Sequence, residues 1–114
     1  MDHKKIKRLR NKADRLLQEK NRRENARCMV CDKECTVGHH FWPKSTSSRL
    51  RYEMDNIVPL CQGCHLRHHS GDPTIHAKVL EERGKDWYKK LDSIRREVTK
   101  QSIKYFEDVI EKLK

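Results

Sequence analysis

Two Cys-x-x-Cys pairs constrain this chain more than any other feature. Cys28 and Cys31 form one pair, Cys61 and Cys64 the other, with 29 residues between them. Each pair presents two thiolates to one ion, and together they complete a tetrahedral four-sulfur site of the structural zinc type. The alternative, a disulfide framework, needs an oxidising compartment, and the N-terminal Met-Asp-His-Lys-Lys-Ile-Lys carries no apolar segment that would direct export. Cys61-Gln62-Gly63-Cys64-His65 also spells the c-type haem attachment pattern. That reading requires export as well, and it leaves the first pair without a role. Cys35 is left over, either a replacement for one of these ligands or a free thiol near the knuckle. A metal matters here because the core is thin: of 114 residues, only 34% are hydrophobic and 39% are charged. Chains of this kind are held by a metal or by packing between copies. No apolar run reaches the ~18–20 residues that cross a bilayer. The expectation is a protein of the cytoplasm, with no membrane partner.

The net charge of +10 is unevenly placed. Residues 1–27 hold 11 Lys and Arg against 4 Asp and Glu, whereas residues 28–114 hold 16 against 13. The chain therefore divides into a basic helical arm (1–27), a Cys/His-rich middle (28–76) and a charged helical extension (77–114). From Lys4 to Glu24 the arm lacks Gly and Pro, and Ile6, Leu9, Ala13, Leu16 and Leu17 make one helical stripe. Lys4, Lys5, Lys7, Arg8, Arg10 and Lys12 surround it. This basic face is either a grip for nucleic-acid phosphates or a solvated surface. Both readings hold if the stripe packs inward. After the turn signal Ser70-Gly71-Asp72-Pro73 a short helix is expected over Thr74 to Glu82, interrupted at Gly84. Lys85 to Leu113 reads as one long helix or two. Trp87, Leu91, Ile94 and Val98 form one stripe there; Ile103, Phe106, Ile110 and Leu113 form a second. These stripes either cover the small core or build a homodimer, since so small a chain has few internal surfaces to bury both.

The histidines sit around the knuckles. A strand carrying His39-His40, a long loop, a short strand near Ile57-Val58 and a helix from about Gln62 are expected. On that helix His65 and His69 lie four apart and share a face, with His68 off it. Two such imidazoles and a third from a facing strand make a three-nitrogen site with open positions, which suits catalysis better than structure. Three imidazoles favour a transition metal, although Mg2+ or Mn2+ completed by phosphate and water remains open. His76 and His3 have no assigned role, and Trp42 reads as a buried aromatic of the hairpin.

The order Cys-x-x-Cys, Gly38-His39-His40, Asn56, then Leu60-Cys-x-x-Cys-His65 resembles the HNH (ββα-metal) endonucleases in their zinc-knuckle form. The stretch Leu50-Arg51-Tyr52-Glu53-Met54-Asp55-Asn56-Ile57, with Ser70-Gly71-Asp72 after it, is more particularly similar to phage NinG/Rap-type recombination nucleases. The resemblance covers about residues 28–76. It implies a small α+β fold, a ββα-metal core flanked by helices. It implies DNA as substrate, and the NinG/Rap likeness implies branched or recombination-intermediate DNA, in a bacterial or phage-infected cytoplasm. His40 would be the general base and Asn56 would orient the hairpin and that base. His39, where many members carry Asp, would be the first metal ligand, with His65 and His69 the others. The cofactors implied are one structural Zn2+ and one divalent catalytic ion, Mg2+, Mn2+, Ni2+ or Zn2+. Arg49, Arg51 and Arg67, near the site in sequence, would hold backbone phosphates together with Lys44. The rival readings are a non-catalytic zinc-binding module that only binds DNA and a zinc module that binds protein.

Overall fold

The computed structural model describes residues 2–114. Helix α1 runs His3–Glu24. Strong helix formers build it, and (i, i+4) ion pairs such as Lys20–Glu24 at 3.1 Å line its outside. Arg22 and Arg23 in its last turn face the negative end of the helix dipole. Strands β1 (Val37–His40) and β2 (Ile57–Leu60) follow, then α2 (Gln62–His69), α3 (Pro73–Ile94) and α4 (Ile103–Leu113). The strands pair antiparallel with Val37 opposite Leu60 and His40 opposite Ile57. β1, β2 and α2 thus form one ββα unit, with the strand, loop, strand and helix where the sequence placed them.

Two apolar clusters sandwich β2, whose four residues are all buried. On one side Ile57 joins Ala13 and Leu17 of α1 and Phe106, Val109, Ile110 and Leu113 of α4. On the other, Val58 and Leu60 join Cys28, Cys61, Cys64, Ile75 and Val79, with Trp87 packed against them. A strand buried on both faces must be apolar throughout, and Ile-Val-Pro-Leu is. The arm and the extension therefore share one core with the middle of the chain. The stripe of α4 is covered by α1 of the same chain.

Helix α3 begins at the N-cap Asp72, whose carboxylate accepts the Thr74 N–H at 2.9 Å. It is two helical segments joined at Gly84, where φ is 85°, a left-handed conformation that suits glycine. It braces the hairpin from behind: Trp87 Nε1–H donates to the Asp55 carbonyl at 2.8 Å and Arg83 donates to that of Ile57 at 3.1 Å. The expected continuation of its stripe to Val98 does not form. The helix stops at Ile94, and Val98 stands 90% exposed. Arg95 is held over the Trp42 ring at 4.3 Å and the Thr99 N–H is taken by Ser48 Oγ at 3.0 Å. These interactions, with the β-branched Val98-Thr99 pair, favour an extended connection over another helical turn.

Phe106 is fully buried between α1 and α4. Phe106→Ala should lower unfolding stability by about 3–5 kcal/mol, read from the midpoint of denaturant unfolding.

Candidate metal centre and active site

The first knuckle is a tight turn. Asp32 N–H donates to the Cys28 carbonyl at 3.1 Å, and Asp32 has a positive φ of 64° that Asp tolerates better than most residues. The second opens α2: Cys61 is its N-cap, and Cys61 Sγ accepts the Cys64 N–H at 3.4 Å. Met29 N–H donates to the Pro59 carbonyl at 2.9 Å and docks the first turn beside the second. All four sulfurs of Cys28, Cys31, Cys61 and Cys64 lie within 4.8 Å of one another, with Cys31 and Cys61 3.4 Å apart. Four sulfurs bound tetrahedrally at about 2.3 Å would stand about 3.8 Å apart, so the donor set fits zinc. The Cys64 N–H pulls the Cys61 thiol down to about 7, while burial pushes Cys64 up. Arg67 Nη2–H donates to Cys64 Sγ at 3.2 Å. A cation at that position offsets the negative charge of a four-thiolate site and orients one of its ligands. Cys35 lies outside the four-sulfur group; it is buried, and Asn21 Nδ2–H donates to its sulfur at 3.5 Å.

One turn along α2 a second donor set gathers. His65 and His69 project toward β1, with their Nε2 atoms 3.0 Å apart. His39 crosses from the strand, and one nitrogen of each of the three rings lies within 4.8 Å of the others. Such a set fits one divalent ion and leaves positions for other ligands. The cleft around it encloses about 490 Å³ and is also lined by His40, His68, Lys44 and Gln18. Burial, followed by the charges that His68, His65 and His69 would carry, pushes His39 down to about 3. Burial lowers His65 as well. Rings that resist protonation at neutral pH keep their lone pairs for a metal. His68, one residue off the face that His65 and His69 share, also reaches the cleft: its ring centroid lies 4.7 Å from that of His39, nearer than His65 or His69. The strand comes close enough to α2 that two adjacent faces of the helix meet it.

His40 follows His39 on β1. Its Nε2 lies 2.8 Å from the Arg51 carbonyl oxygen. A carbonyl only accepts, so Nε2 carries the proton and Nδ1 keeps the lone pair. Burial lowers the pKa of His40 despite that bond, which favours the neutral ring. Asn56 is fully buried, and its side-chain hydrogen bonds go to the hairpin and loop backbone rather than to His40. Its Oδ1 accepts the Trp42 N–H at 2.9 Å, and its Nδ2–H donates to the carbonyls of Trp42 at 3.0 Å and Leu50 at 3.3 Å. It ties both ends of the loop that delivers the Arg51 carbonyl.

The arginines expected on phosphates are largely engaged within the protein. Arg51 pairs with Asp14 of α1, its Nη2 at 2.8 Å from the carboxylate, and keeps only 16% of its side chain exposed. Arg49 lies 3.5 Å from Glu53 and 3.8 Å from Glu97. Arg67 serves the thiolate. Lys4, Lys5, Lys7, Arg8 and Lys12 are exposed on α1, and Arg10 is half-buried.

Residues 28–71 match a family model described as HNH endonuclease. No curated protein and no solved structure matches the chain at a significant level. The matched span holds both cysteine pairs, the histidines of the cleft, β1, β2 and α2. Its strands, helix and four-cysteine group fit a ββα-metal core, and the family whose model the span matches is one of nucleases. Helices α1, α3 and α4 lie outside it. Among the described residues no helix is long and apolar enough to cross a membrane.

The two donor sets share α2 but no ligand, so they should separate on substitution. Cys61→Ser should lose bound zinc and lower the melting temperature. His65→Ala should weaken the second ion and leave the four-sulfur zinc in place. Metal stoichiometry by elemental analysis, with thermal unfolding of each variant, checks both.

Proposed function

We propose that the protein is a metal-dependent DNA endonuclease that hydrolyses phosphodiester bonds in the cleft between β1 and α2. The observation that carries this is the pair of neighbouring histidines on β1. His39 joins an imidazole cluster, and His40 presents a free Nδ1 beside it with Nε2–H held by a carbonyl. A module that only binds DNA through a zinc knuckle has no use for that arrangement. The HNH match over the same residues supports it.

In this reading His40 Nδ1 takes the proton of the attacking water as its oxygen bonds to phosphorus. The P–O3′ bond breaks and the departing oxygen takes a proton from water, leaving a 5′-phosphate and a 3′-hydroxyl. His39, His65 and His69 would hold a divalent ion, which when bound supplies Lewis-acid polarisation of the phosphate and stabilises the leaving oxygen. Lys44 lines the same cleft and is placed to hold a phosphate oxygen. Lys4, Lys5, Lys7, Arg8, Arg10 and Lys12 of α1 extend the grip along the backbone. Branched or recombination-intermediate DNA as the substrate rests on the NinG/Rap likeness of residues 50–57.

His40→Ala should reduce cleavage of plasmid DNA by about 10²–10⁴-fold and leave metal content and DNA affinity unchanged. A parent inactive with Mg2+, Mn2+, Ni2+ and Zn2+ on linear, single-stranded, flap and four-way-junction DNA would leave the binding module as the better reading. Replacing Lys4, Lys5 and Lys7 with Gln should flatten the dependence of log K on log salt by about 0.9 for each phosphate that is no longer neutralised. Equilibrium binding titrations between 50 and 200 mM salt, roughly the range over which such charges tell, measure it.

A further inference from the structure

Helix α1 lies outside the matched family residues, yet it reaches the site at two points. Asp14, Gln18 and Asn21 recur at spacings of four and three, a polar stripe beside the apolar one. Gln18 pairs with the backbone of Gly38, the residue before His39. Its Nε2–H donates to the Gly38 carbonyl at 2.9 Å, and its Oε1 accepts the Gly38 N–H at 2.8 Å. One side chain thus satisfies both backbone polar groups of Gly38 on the free edge of β1, as a neighbouring strand would. The helix can come this close because residue 38 has no side chain: a Cβ there would stand 2.9 Å from Ile57 Cγ2 and 3.1 Å from Asn21 Cγ.

The second point is Asp14. Its carboxylate accepts from Arg51 Nε at 3.3 Å, from Arg51 Nη2 at 2.8 Å and from the Tyr52 hydroxyl at 2.8 Å. Arg51 is a loop residue, and its backbone oxygen is the acceptor that holds His40 Nε2–H. A bidentate carboxylate–guanidinium pair fixes orientation as well as distance. The loop carbonyl is therefore anchored from α1 and, through Asn56, from the hairpin.

We propose that Asp14 is a positioning residue for His40, acting through Arg51 to hold the imidazole in one orientation with the proton on Nε2 and the lone pair on Nδ1. Its kinetic consequence rests on His40 being the base of the nuclease reading; the selection of the tautomer rests on the hydrogen bonds alone. The same helix carries the basic face, so DNA held by α1 is held by the element that orients the base.

The test uses the full chain, zinc-loaded, as Asp14→Asn, Asp14→Ala and Tyr52→Phe. The ¹⁵N shifts of the His40 ring nitrogens report the tautomer, and plasmid cleavage gives kcat and KM. The parent and Tyr52→Phe, which keeps the Arg51 pair, should show a single Nε2–H tautomer. Both Asp14 variants should show averaged ring shifts and a kcat lower by about 10- to 100-fold with KM little changed. Parent-like shifts and parent-like kcat in a folded Asp14→Asn protein overturn the proposal. That variant is nearly isosteric, so it decides the matter even where Asp14→Ala fails to fold. If the shifts move as expected while the parent cleaves no DNA, the positioning role stands and the nuclease reading falls.

Discussion

The junction of the two cysteine pairs is the contact on which the site depends. Cys28 and Cys31 precede β1, and Cys61 and Cys64 occupy the N-terminal end of α2. Bringing the four sulfurs within 4.8 Å closes the segment that contains the whole hairpin. It also sets the start of α2, so the position of the thiolates determines where His65 and His69 arrive on the next turn. Arg67, on the same helix, returns a hydrogen bond to Cys64. One short helix thus carries ligands of both donor sets and a supporting cation.

A two-stranded sheet of four-residue strands is marginal by itself. Here side-chain amides stand in for missing strands. Gln18 pairs with Gly38 on the outer edge of β1, and Asn56 pairs with Trp42 where the ladder runs out. Apolar packing covers β2 from both sides, but the orientation of the histidine pair is determined by these polar interactions. That follows from the composition, since a chain with so few apolar residues cannot fix every loop by packing. Direction matters in a hydrogen bond that orients a ring, and amides and carboxylates supply direction where methyl groups do not.

Much of this was legible in the residues. Cysteine spacing pointed to the four-sulfur site, since thiolates so close together in a turn have few other uses. The (i, i+4) spacing of His65 and His69 placed them together, and the helix formers of residues 4–24 placed α1 nearly to the residue. Other features were not legible. Val98 continued a helical period in the sequence but lies outside the helix, because periodicity carries no information on where Arg95 and Thr99 find partners. Arg51 looked like any basic residue near a site until Asp14, 37 positions earlier, was brought against it. Asp14, Gln18 and Asn21 gave no sign of their roles either, because polar residues at helical spacing usually mark solvent.

By itself the sequence determined which atoms could meet a metal, and that the fold would be a small ββα unit with helices around it. Those properties are local: they follow from short spacings along the chain and from the chemistry of sulfur and imidazole. Only the tertiary structure decided that α4 buries its stripe on α1, that His68 faces the cleft, and that Arg51 serves His40 through its carbonyl. These depend on side chains far apart in sequence competing for the same partners, and that competition is resolved only when the chain is packed.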